Sequence, residues 1–430
     1  MVSAYADIQY NGAMSPDPAA SVNRVRYAAT AVFMQILLGV IYSWSIFRGP
    51  LAKLHGWSNA QTIAPYRYSL LAFAAGMIVA GFWQDRKGPR VVASAGGFLL
   101  GAGCLLAAWF GDTLTGLIIA YGIVAGIGVG FAYVTPIAMC IKWFPDKRGM
   151  IVGLAVMGFG VGPLVFGPLI EWLIGNDPAA FATTIPRAFT ILAIIFFTGV
   201  IGSAQFYRTP PAGWKPSGWV QSSNRSASAE LPPRAALRTW QFPLLWIVYF
   251  LGTSVGLTAI GEATPLLKEM AVRSAFLSAG AALGIMSIFN GLGRLGWGSV
   301  SDRFGRKTAV MGMCAGSIVA CLAFLRNADS FGSLLAGLCV AAFSYGGYLA
   351  LMPSFTADYF GPKNVGANYG MLFSAWGVCG FVMPGYFAAI IDRAKAAGHL
   401  ASGYQEVYVT LAVFAFAGAI LAGVLRPPSH

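Results

Sequence analysis

The sequence predicts an all-α membrane protein with twelve transmembrane helices in two pseudo-symmetric six-helix bundles. Three observations predict it. Of the 430 residues, 57% are hydrophobic and 10% are charged, with a mean hydropathy of +0.67; a soluble chain carries about 25% charged residues. Apolar runs of about 20 residues, long enough to cross a bilayer as helices, recur along the whole chain. The two halves also match each other at a constant offset.

The apolar runs fall near 28–47, 64–83, 91–110, 114–140, 150–174 and 188–206, then near 243–261, 276–300, 308–325, 331–357, 367–391 and 406–424. Residues 1–27 precede them as a polar tail. The first run is long enough to serve as both signal and helix, so no cleavable leader is expected. Residues 207–242 are rich in Pro, Ser and Gly and read as a flexible linker between the bundles. Residues 425–430 form a short tail. An even number of spans puts both termini on one face. Lys and Arg decide which: eighteen of the 28 fall on the face of the termini and nine on the other, so the termini are expected in the cytoplasm of a cell membrane. That bias accounts for the net charge of +13 without nucleic acid as a partner. The linker's basic residues are suited to anionic lipid headgroups.

The repeat is visible residue by residue. "GFWQDRKGPR" (81–90) resembles "GSVSDRFGR" (298–306), and Asp302 lies 217 positions after Asp85. The same offset joins Gly88 to Gly305, Gly130 to Gly347, Pro136 to Pro353, Gly149 to Gly366 and Gly153 to Gly370. Duplicated six-helix units of this kind place a substrate site near the midplane between the halves.

One basic residue is left over from the count. Arg294 lies eight positions inside Asp302, about 12 Å along a helix, where the hydrocarbon half-thickness is about 15 Å. A charge there costs at least about 3 kcal/mol. Every acid lies at or near a helix end, so the missing counter-ion is read as the substrate, a carboxylate gripped by the guanidinium. Two other arrangements fit the same sequence: Arg294 snorkels to the surface, or its helix is longer and Glu262 or Asp358 reaches it. Asn290, one turn earlier on the same face, holds the guanidinium or the substrate, or bonds a neighbouring helix.

These motifs resemble a known family. The repeated Gly-x-x-x-Asp-Arg loop resembles the signature of the major facilitator superfamily over essentially the whole chain. "YSWSIF" (42–47), "WFPDKRG" (143–149), "FNGLGR" (289–294) and "NYG" (368–370) look like its oxalate–formate exchangers and monocarboxylate transporters. The resemblance implies an aromatic-lined cavity, with Tyr42, Tyr133, Phe159, Tyr345 and Phe373 at matching positions. Trp376 and Tyr348 lie on the same inferred helices and join them as candidates. It also implies that Asp85, Arg86, Arg90, Asp302, Arg303 and Arg306 lock the bundles together at the cytoplasmic end.

The chain departs from the family pattern twice. The exchangers carry a second cation, a Lys, where Trp376 stands here; one cation suits one carboxylate, so a small monocarboxylate of the lactate or pyruvate class is expected. The animal monocarboxylate transporters place an Asp where Asn290 stands, so the implied proton symport has no obvious carrier. Glu262 and Asp358 are the remaining candidates, and anion exchange stays open. The run "GFGVGPLVFGP" (158–168) partly resembles an antiporter motif, but its ending departs, and its small residues suit close helix packing.

Other functions fit poorly. The three histidines, His55, His399 and His430, fall in loops or the tail, away from where intramembrane catalysis needs them. The six cysteines lie in apolar runs without a CxxC pair and read as packing residues. No cofactor or metal is implied, and the protein is expected to work as a monomer.

Overall fold

The computed structural model describes residues 24–211, 214–216, 230–271, 279–326, 328 and 330–428. The tail up to residue 23, most of the central linker and the last two residues lie outside the described residues.

Every element described is helical. The first half comprises α1 (Val25–Leu38) running through a 3₁₀ turn (Gly39–Ser43) into α2 (Trp44–His55), then α3 (Asn59–Lys87), α4 (Pro89–Phe110), α5 (Leu114–Leu117) continuing through a π segment into α6 (Gly126–Trp143), α7 (Arg148–Ile174) and α8 (Phe181–Ala204). A short α9 (Pro233–Leu237) precedes the second half: α10 (Gln241–Ala271), α11 (Ala279–Phe304), α12 (Arg306–Val319) with a π segment after it, α13 (Phe331–Phe360), α14 (Val365–Ala396) and α15 (Leu400–Val424). Among the described residues, eleven helical runs have the length and hydropathy to cross a membrane. The twelfth long helix is α11, whose 26 residues include Asn290, Arg294 and several glycines. The helix that reads least like a span is the one that carries the buried cation.

The helices overrun the apolar segments. The second span, expected at 64–83, is Asn59–Lys87, and Ser58 starts it with a capping box shared with Gln61. Hydropathy marks only the part in hydrocarbon, whereas helical hydrogen bonding persists into the headgroup layer. The end of the linker is pinned rather than loose. The Leu231 amide donates to the Phe360 carbonyl at 3.0 Å, and the Glu230 carboxylate accepts from the Lys363 amide at 3.0 Å.

Two basic residues counted on the face away from the termini are tied to the opposite half. Arg48, in α2, is buried; it donates to the Gly261 carbonyl at 2.8 Å and lies 3.6 Å from Glu262. Arg67, in α3, donates to the Phe381 carbonyl at 2.7 Å and stacks on the Phe381 ring. Both join the first half to the second. At the face of the termini, Arg24 forks onto Asp146 in the α6–α7 turn at 2.8 and 3.2 Å.

The two most extensively packed helix pairs, α3 with α14 and α7 with α11, both cross between the halves. They are related by the repeat. A side chain at Gly81 would strike the Gly366 backbone, and one at its counterpart Gly298 would strike the Gly149 backbone. Small residues let the helices approach until main chain meets main chain.

Candidate functional site

Arg294 is fully buried near the middle of α11, which rules out snorkelling. Its Nε donates to Asn290 Oδ1 at 2.9 Å, its Nη1 donates to the Val156 carbonyl of α7 at 3.0 Å, and the guanidinium lies 5.3 Å from the Phe159 ring centre. Among the described residues no carboxylate contacts it. Glu262 is engaged with Arg48, and Asp358 accepts from Arg306 at 2.8 Å. Room for the guanidinium comes from Gly160: a Cβ there would press on both Arg294 Nε and Asn290 Oδ1.

Arg294 keeps one donor in reserve. Its Nη2 is buried without a well-formed hydrogen bond, and so are the hydroxyls of Tyr133, Tyr249 and Tyr369, although Tyr133 lies near enough to Arg294 and to Tyr369, and Tyr369 to Tyr249, to interact weakly. The Arg294 charge acts on the Tyr133 and Tyr369 hydroxyls, and Tyr249, Tyr133 and Tyr369 neighbour one another. Burying a polar group without a partner costs about 1–3 kcal/mol each. A carboxylate only accepts, through two oxygens, and matches this set of donors.

Aromatic rings close around that point. Tyr42 is carried by the 3₁₀ turn between α1 and α2, a local tightening typical of functional hinges. Its hydroxyl lies 2.6 Å from that of Tyr345, which accepts from Trp376 Nε1 at 2.7 Å. Phe159 packs edge-on against Tyr42 and Tyr133, each at 5.0 Å, and Phe373 stacks on Trp376 at 4.7 Å. Trp376 serves here as a hydrogen-bond donor and a wall.

The ends of the bundles are tied differently. At the face of the termini, Asp302 Oδ2 accepts from the Met150 amide of α7 at 2.9 Å, while Asp85 Oδ2 accepts from the Ala367 amide of α14 at 3.2 Å. Met150 and Ala367 are themselves 217 positions apart. Each carboxylate thus caps the positive N-terminus of a helix in the opposite half. Lys142 supports Asp85 at 3.5 Å, and Arg306 bridges Asp302 and Asp358, each at 2.8 Å. At the other end, Arg48 and Glu262 join α2 to α10.

The profile of the Major Facilitator Superfamily matches residues 27–384 and 273–430. The chain belongs to this superfamily. It is a multi-pass membrane transporter. The oxalate:formate antiporter of Oxalobacter formigenes is 29% identical over 408 residues, spanning 94% of this chain and 92% of that one. The apicoplast pyruvate carrier 1 of Toxoplasma gondii is 28% identical over 70% of this chain and 64% of its own length. The solved proton:xylose symporter XylE, bound to 6-bromo-6-deoxy-D-glucose, shares the fold with a TM-score of 0.71 at 16% identity, over 92% of this chain and 94% of that one.

Within this superfamily fold, Arg294, Asn290, Tyr42, Tyr133, Phe159, Tyr345, Phe373 and Trp376 are brought together. Tyr348 is not. Its hydroxyl lies 3.0 Å from Cys314 Sγ of α12, and its ring fills the space left by Gly252, so it packs inside the second bundle. Tyr345 and Tyr348 stand nearly one turn apart on α13, both against glycines of α10, Gly256 and Gly252, but their hydroxyls find different partners. Arg86, Arg90 and Arg303 are exposed; the ties between halves run through Asp85 and Asp302, with Lys142, Arg306 and Asp358 behind them. Asp358, a candidate proton carrier, lies in that tie rather than in the core. Sequence reasoning missed Phe73, Tyr249, Tyr369 and Lys142. Tyr369 stands inside the quoted Asn-Tyr-Gly motif, and Phe73 is 217 positions before Asn290; both signals were present.

Proposed function

We propose that this transporter moves a small monocarboxylate of the lactate or pyruvate class across the cytoplasmic membrane by alternating access, coupled to a proton. The observation that carries the reading is Arg294 Nη2, a buried charged donor beside tyrosine hydroxyls that lack well-formed hydrogen bonds, with no carboxylate in contact among the described residues. The substrate carboxylate takes Nη2 and a tyrosine hydroxyl, and the rings exclude water. Moving an anion inward against the membrane potential costs about 2.3 kcal/mol per 100 mV; a proton carried with it removes that cost.

Glu262 is the residue through which we assign pH sensitivity. Its carboxylate faces Arg48, with the Asp392 charge also acting on it. Protonating it discharges the tie between α2 and α10 and favours opening at that end. Glu262→Gln is expected to keep uptake at a fixed rate, within about threefold, across an external pH range where wild-type uptake rises with acidity. A variant that tracks external pH as wild type does removes Glu262 from the coupling.

The deciding experiment is uptake of radiolabelled L-lactate into proteoliposomes with and without an inward proton gradient and no internal anion. Gradient-driven uptake supports symport. Uptake that ignores pH and requires an internal carboxylate supports the second reading, carboxylate exchange, which the similarity to the Oxalobacter formigenes antiporter favours.

A further inference from the structure

The repeat gives each residue of one half a counterpart in the other, and at the site the counterparts differ in kind. Arg294 and Asn290 lie 217 positions after Met77 and Phe73. The backbone keeps the symmetry. Gly153 packs on the Arg294 carbonyl, and its counterpart Gly370 packs on the Met77 carbonyl. Met77 and Phe73 therefore stand at the depth of the charged pair, on the facing wall, and both are fully buried. Rings from both halves close on Phe73: Tyr133 and Phe373 at 5.0 Å, Trp376 at 5.1 Å and Phe159 at 6.0 Å.

We infer that Phe73 is a specificity-determining residue, the wall that meets the hydrocarbon end of the acid and limits its length. The inference rests on the reading of Arg294 as the carboxylate anchor. An acid held by Arg294 Nη2 and the Tyr133 hydroxyl directs its remaining atoms from the charged wall toward the apolar one. Phe73 packs directly on Tyr133 and Phe159 and is the next ring along that direction. A second carboxylate on the same substrate would be driven against Phe73 and Met77, side chains that offer it no donor, so the same wall rejects dianions.

The test uses the full chain in proteoliposomes and measures inhibition of radiolabelled L-lactate uptake by 2-oxo acids of increasing length, from pyruvate to 2-oxohexanoate. Phe73→Ala is expected to raise the preference for 2-oxohexanoate over pyruvate at least about tenfold, since one methylene in an apolar pocket is worth about 10–200-fold. Phe73→Trp is expected to move the ratio the other way. A residue that merely packs would lower inhibition by all acids alike. A ratio within about twofold of wild type in both variants overturns the inference. Should Phe73→Ala fail to fold, Phe73→Leu and Phe73→Trp carry the same comparison. If Arg294→Lys leaves inhibition by pyruvate unchanged, the anchor itself is wrong, and the assignment of Phe73 falls with it.

Discussion

Arg294→Ala is expected to cut monocarboxylate uptake at least about 100-fold while changing stability little. The two halves of that expectation have separate causes. A hydrogen bond to a charged group contributes about 1.5–3 kcal/mol, and a guanidinium grips a carboxylate through paired bonds in a site that excludes water. Two such bonds lost amount to about 3 kcal/mol or more, which is more than 100-fold in binding. Arg294 is also a buried charge, and its removal relieves at least about 3 kcal/mol of burial cost, which offsets the loss of two bonds, to Asn290 and Val156, worth about 3 kcal/mol together. Arg294→Lys keeps the charge without the fork and cannot hold Asn290, Val156 and substrate together; an intermediate loss of about tenfold is expected. Uptake kinetics and thermal unfolding of the purified variants check both halves. Normal transport by Arg294→Ala would sink the site assignment. Parallel losses of uptake and stability would make Arg294 a structural pin between α11 and α7.

The second large effect is expected from Asp85→Asn combined with Asp302→Asn. Each aspartate accepts a backbone N–H at the start of a helix in the opposite half, at 3.2 Å from Ala367 and 2.9 Å from Met150. A carboxylate at such a position is worth about 0.3–2 kcal/mol from the helix dipole, before its ion pairs with Lys142 and Arg306 are counted. The amide retains an acceptor but no charge. Losing both ties is expected to favour opening at this end by about 3 kcal/mol, a shift of roughly 100-fold in the ratio of open to closed. Spin labels at the exposed Lys147 and Arg303 would report it as a longer interprobe distance. Because the two ties are separate and related by the repeat, each single variant is expected to give about half the shift in free energy. An unchanged distance distribution in the double variant would show that glycine-mediated packing alone closes this end.

Much of this architecture was legible in the sequence. Length, hydropathy and the 217-residue offset led to helices in two matching halves, and the count of basic residues isolated Arg294. What was not legible has physical reasons. Helix ends in the headgroup layer leave no hydropathy signal, so Arg48, one residue past its apolar run, and Arg67, near the start of its own, gave no sign that both are held by carbonyl partners in the other half. The partner a ring finds cannot be read from its presence on the right helix, which is why Tyr348 was grouped with Tyr345. Phe73 and Tyr249 went unnoticed because an aromatic in an apolar run is ordinary; only tertiary contacts, or the repeat applied to Asn290, single them out. The donors gathered at the site, Tyr133, Tyr249, Arg294 and Tyr369, come from four helices, α6, α10, α11 and α14, and no local pattern announces their convergence.

The lopsided distribution of charge between the facing walls has a consequence for the transport cycle. The guanidinium is rooted in the second bundle, while the first presents Met77 and Phe73. On the proposed reading, an anion held by Arg294 stays berthed in one bundle as the two rock. The other moves past it: the contacts with Met77 and Phe73 slide, and the hydrogen bonds that must break are those from the Tyr133 hydroxyl to the anion and from Arg294 to Val156. The passenger therefore keeps its host throughout the crossing, and the membrane's two sides take turns arriving at it.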